Sequence, residues 1–172
     1  MNLERLRSRA QSFTEEVSRE GYLAYSGLKP EAALQEIYER HADILGDDAL
    51  AECIERFRDA PVGSEDERAA RMLLEWLVES RVGRQLAALD EREVALENDA
   101  VIRVADGRVV PYQRAAIDIA NSSDAGDRRA LDAARARVVE ESFAPLRLER
   151  HQRESEAVEA LGIAGGYNAT FE

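Results

Sequence analysis

The stretch SEDERAARMLLEWLVESRVGRQLAALDEREVALEN, Ser64 to Asn98, decides the fold. It follows the breaker Pro61-Val62-Gly63 and opens with Ser64 and Glu67 in the S-x-x-E spacing of a capping box. Thereafter it contains no proline and a single glycine, Gly83. The pattern predicts one unbroken helix about 50 Å long at 1.5 Å per residue. Leu73, Trp76, Ser80, Gly83, Ala87 and Val94 share one stripe, while Leu74, Val78, Val82, Leu86 and Leu89 share another. Two stripes require neighbours on two sides, so this is the central helix. Ser80, Gly83 and Ala87 are small enough to admit one neighbour closely.

Upstream, Leu6, Ala10, Phe13, Val17, Gly21 and Ala24 recur at alternating three and four, the seam of a helix ending near Tyr25. SGLKP then turns the chain, with Gly27 suited to a left-handed cap and Pro30 to the first turn of the next helix. That helix, EAALQEIYERHADIL, aligns Leu34, Ile37, His41 and Ile44 and stops at Gly46; a third spans about Asp47 to Asp59.

Downstream, VIRVADGRVVPY, residues 101–112, alternates like a β-hairpin. With Asp106-Gly107 as a two-residue turn, Val104 faces Val109 and Ile102 faces Pro111 on one side, and Val101, Val110 and Tyr112 share the other. A lone hairpin is marginal in water unless something covers it. QRAAIDIANS then forms a short helix, and Ser123 or Asp124 caps the next, GDRRALDAARARVVEESF. Pro145 predicts a kink or break before LRLERHQRESEAVEALG, which ends at Gly162. The expected fold is therefore all-α: a bundle of about six helices with one long central helix and a single β-hairpin insertion. With no internal repeat or linker, residues 1–172 are expected to form one domain.

A formal net charge of −12 disfavours phosphate backbones and anionic lipid, so neither nucleic acid nor membrane is an expected partner. No segment approaches the roughly 20 apolar residues of a membrane span, and the charged N-terminus lacks the apolar centre of a signal peptide. Cys53 is the single cysteine and sits beside Leu50, Ile54 and Phe57, as a small buried hydrophobe would. These features together predict a cytoplasmic protein.

Zinc catalysis on a helix needs two histidines one turn apart in H-E-x-x-H. His41 and His151, the two histidines present, are followed by Ala42 and Gln152. A carboxylate di-metal site needs E-x-x-H, yet Tyr38 and Leu148 occupy the positions three before them. Cys53 has no C-x-x-C partner or neighbouring base, and Gly162 to Tyr167 lacks the Lys-Ser/Thr of a phosphate loop. No cofactor, metal ligand or catalytic residue is expected. Clusters such as EDERAAR and DEREVALE carry the spacing of solvated helix faces.

The second half has a further order: long helix, hairpin, short helix, the Asp127-Arg128 segment, Pro145-Leu146, then Leu161, Gly162 and Tyr167. From about Asp90 to Tyr167 it resembles the N-terminal helical region of zinc oligopeptidases, the group of oligoendopeptidase F, thimet oligopeptidase and the angiotensin-converting-enzyme-like dipeptidases. The resemblance implies a non-catalytic domain lining a channel that admits flexible peptides. The zinc-binding half of such enzymes comes later than the matched region, so no catalytic or metal residue carries over. A stand-alone helical interaction module is the alternative. On the expected register, Val110 and Tyr112, with Tyr167 and Phe171, would form a surface covered by the catalytic half, by a partner chain or by a second copy in a homodimer.

Overall fold

The computed structural model describes residues 3–162. Its helices are α1 (Leu3–Tyr25), α2 (Leu34–Arg40), α3 (Asp47–Asp59), α4 (Glu65–Asp99), α5 (Tyr112–Asn121), α6 (Ala125–Val138) and α7 (Ala144–Ala160). A 3₁₀ turn, Ala42–Ile44, follows α2, and strands β1 (Val101–Arg103) and β2 (Val109–Pro111) form an antiparallel pair. A π-helical turn, Val139–Phe143, joins α6 to α7 without leaving helical backbone angles. Counting that rod once gives six helices among the described residues, an all-α bundle with one hairpin.

The capping at Ser64 starts α4 as its spacing requires. Ser64 Oγ accepts from the Glu67 N–H at 3.1 Å, while the Glu67 carboxylate accepts from the Gly63 N–H, one residue before the usual capping-box donor. Glu65, Asp66 and Glu67 also set negative charge against the positive helix end. The helix then runs through three apolar clusters. Leu73, Leu77 and Ala87 pack with Leu6, Phe13, Ile37, Tyr38, Ile44 and Cys53 from α1 to α3. Val82, Leu86 and Leu89 meet Leu146 and Val158 of α7. Leu96 packs against this second group and against a third, formed by Ile102, Val104, Tyr112, Leu131 and Phe143. Leu77, which belongs to neither expected stripe, is completely buried.

At Gly83 the close approach is extreme. A Cβ there would stand 2.2 Å from the Tyr38 hydroxyl oxygen, so α2 can lie on α4 only where the side chain is missing. Tyr38 in turn leads an aromatic group: Phe13 meets the rings of Tyr38, His41 and Trp76 edge-on, with centroids 5.1, 5.4 and 5.8 Å apart.

Three local expectations are corrected. The second helix begins at Leu34 rather than near Pro30, because Glu20 accepts the Ala33 N–H at 2.6 Å and pairs with Lys29, holding the intervening chain as a loop. Asn98 Nδ2 fixes the same loop by donating to the Pro30 carbonyl at 2.9 Å. At Pro145, where a kink or a break is expected, the helical backbone is not broken, but the α-helical pattern gives way to the π turn. The π turn just before it takes up the missing N–H and the ring, so Phe143 and Leu146 both reach their clusters.

The hairpin carries the third and largest correction. Its loop has three residues, Ala105 to Gly107: the Val104 N–H donates to the Arg108 carbonyl at 2.9 Å, and the Gly107 N–H to the Val104 carbonyl at 3.0 Å. Gly107 has φ +93°, the left-handed residue that such a loop requires. The pairs are Val101 with Pro111, Ile102 with Val110 and Arg103 with Val109, one residue from the expected register. A shift of one exchanges the faces of a strand. Ile102 and Val104 are therefore buried and Val110 packs beside them, whereas Val101 and Val109 are exposed.

Candidate functional site

The antiparallel contact of α4 with α7 gathers a charged seam. Asp90, Glu93 and Glu97 lie on one face of α4 at steps of three and four, opposite Arg147 and Arg150 one turn apart on α7. Arg150 Nε donates to Asp90 Oδ1 at 2.7 Å and its Nη1 to Glu154 Oε2 at 3.4 Å. Arg147 Nε donates to Glu93 Oε1 at 2.7 Å and lies 3.8 Å from Glu97. Burial lifts the Asp90 carboxyl above its ordinary value against the pull of Arg150. Burial and then the neighbouring Glu93 lift Glu97.

Two tyrosines approach this seam from the N-terminal half. Tyr38, buried and near Asp90, has its hydroxyl pushed up to about 12. Tyr25 is raised by burial and by Asp90, Glu93 and Glu97, although its ring is largely open to solvent. Phenols displaced upward stay neutral near pH 7, and Asp90 and Glu93 each accept from a guanidinium group. The geometry fastens α4 to α7.

On the other side of the α4–α7 contact lies an open groove. One cavity of about 440 Å³ includes Gln85, Ala88, Arg92, Glu149 and Arg153 in its lining, and a second of about 400 Å³ includes Leu45, Arg81 and Arg84. Gln85, Ala157 and Ala160 line both, so the two adjoin along the α4–α7 contact. Sequence periodicity could not reveal this groove, because it depends on which face of α7 meets α4.

Of the proposed partner-facing residues, Val110 and Tyr112 fall in one inward-facing cluster. Tyr112 is 7% exposed, its ring stacked on Phe143 with centroids 4.6 Å apart and the Arg135 guanidinium over its face at 5.0 Å. Val110 is half-buried against the same cluster. The expectation that these two face outward is thus replaced, the cause being the hairpin register. Tyr167 and Phe171 lie outside the described residues.

His41 is buried, with Nε2 3.0 Å from Glu16 Oε1 and its ring against Phe13. Arg40 and His41 bond the Glu16 carboxylate and hold it below the ordinary range. Cys53 is a buried free thiol whose titration is raised by burial. Among the described residues no group of three or more His, Cys, Asp or Glu side chains is placed to hold a metal ion, and no helix is long and apolar enough to cross a membrane. Comparison with protein-family models, curated proteins and solved structures finds no match to this chain.

Proposed function

We propose that this chain is a non-catalytic helical domain, the counterpart of the N-terminal region that walls the peptide channel of zinc oligopeptidases. One observation supports the reading: four of the residues on which the resemblance rests, Asp127, Arg128, Pro145 and Leu146, sit where one element meets another. Asp127 pairs with Arg108 of the hairpin loop, and Arg128 Nη1 donates to the Ser122 carbonyl at 2.9 Å before α6. Pro145 follows the π turn and Leu146 is buried against α4. In this reading the domain shapes access for a flexible peptide, and bond cleavage belongs to an H-E-x-x-H polypeptide elsewhere.

The genomic sequence following the Glu172 codon tests the proposal. An in-frame continuation or an adjacent gene encoding H-E-x-x-H is the expected result. A stop codon with no such neighbour would overturn it in favour of a stand-alone interaction module.

A further inference from the structure

We infer that the α4–α7 groove docks an extended acidic peptide segment of a partner protein. The inference does not depend on the channel-wall proposal. Arg81 and Arg92 mark its two ends on α4, about 16 Å apart at 1.5 Å per residue. That length takes about five extended residues at about 3.3 Å each. Side chains shorten along its middle, where Ala88, Ala157 and Ala160 leave the trough open, with Val82 and Leu89 beneath.

Charge selects the occupant. The chain as a whole carries −12, yet four arginines and two glutamates line the groove. Arg84 is exposed and has no ion-pair partner among the described residues. Arg92 and Arg153 hold Glu149 and Glu156 only at 3.3 and 3.5 Å, across pairs largely open to water. Such pairs are weak and exchange readily for carboxylates that a ligand brings. Arg81 is committed through Nη2 to Asp47 at 2.7 Å, which fixes the guanidinium at the groove's end. An acidic segment would meet an excess of cations here, on a chain whose net charge is strongly negative.

The test is fluorescence anisotropy on the full chain at low salt, using a fluorescein-labelled Glu-Ala-Glu-Ala-Glu peptide, its Gln-Ala-Gln-Ala-Gln counterpart and labelled oligo-dT. Saturable binding of the Glu peptide is expected, about tenfold or more tighter than the Gln peptide. The double variant Arg84→Glu/Arg153→Glu should weaken it about tenfold or more, while Arg71→Glu/Arg114→Glu, the same charge change away from the groove, should alter it by no more than about twofold. Ala88→Trp, at an exposed position, fills the trough without touching the core and should likewise abolish binding; it decides the matter if the arginine variant loses helicity. Absence of saturable binding would overturn the inference, as would equal losses in both arginine variants. Oligo-dT binding as tightly as the Glu peptide would reassign the groove to a phosphate backbone.

Discussion

Gly83 is required because the Tyr38 hydroxyl occupies the space that a Cβ would fill. Alanine at an ordinary mid-helix glycine stabilises by about 1 kcal/mol, but here the overlap should outweigh that gain and leave Gly83→Ala destabilised by about 1–3 kcal/mol. Adding Tyr38→Phe removes the clashing oxygen and leaves the next ring atom at 3.3 Å. The double variant should therefore unfold at higher urea than Gly83→Ala alone, and additive losses would contradict the packing. Glu20 makes a second residue-scale prediction. Burial alone would raise its carboxyl, yet the bonds from Lys29 and the Ala33 N–H outweigh it and hold the group below the ordinary 4.5. The native state then binds this proton less tightly than the unfolded chain, so the stabilisation is present above pH 4.5 and is lost as pH falls through the native value. Glu20→Gln should cost about 1–2 kcal/mol at neutral pH. Its stability should also fall less than the wild type's from about pH 5 to about pH 3, measured by urea unfolding across that range. Asp90 acts in the opposite sense, since its raised carboxyl favours the folded state most at low pH and that contribution fades as pH rises above 3.8.

The hairpin is the element in which sequence and structure diverge most. Asp106-Gly107 signals a turn under either loop length, and the two differ only in whether Gly107 closes a two-residue turn or supplies the left-handed third residue. Local sequence cannot separate them. Packing does, because the observed register puts Ile102, Val104 and Tyr112 into one cluster with Leu131 and Phe143. Gly107→Ala should cost about 1 kcal/mol or more through its positive φ. Tyr112→Asp should cost about 3 kcal/mol or more by placing a charge in the core. Guanidinium unfolding checks both, and a Tyr112→Asp protein as stable as the wild type would restore the outward-facing register. By contrast, the span of α4 was legible, because Ser64, Glu67 and the apolar stripes are local signals, although the buried Leu77 lay on neither stripe. The α6–α7 rod was legible except at Pro145, where the π turn answers to burial of Phe143 and Leu146, a demand set by distant partners. The groove and the Asp90–Arg150 seam were not legible at all, since both depend on how two helices far apart in sequence face each other.

In the whole molecule α4 contributes side chains to the N-terminal cluster and to the α7 cluster, and Leu96 reaches the hairpin cluster. Cutting one group should therefore weaken all three. Leu77→Ala, at a completely buried position, should cost about 2–5 kcal/mol. Trp76 fluorescence, which reports the N-terminal cluster, and far-ultraviolet circular dichroism, which reports every helix, should give one shared transition in wild type and variant alike. Separate transitions would mean that the halves fold apart. The same spine underlies the functional proposal: what α4 organises is a hairpin, a charged seam and a groove, the surfaces on which the proposed shaping of a peptide's path rests. Hydrolysis of an internally quenched, unstructured peptide by the zinc-supplemented chain tests this most directly. The account predicts no turnover above the buffer blank, and turnover that is abolished by a chelator and restored by zinc would contradict it.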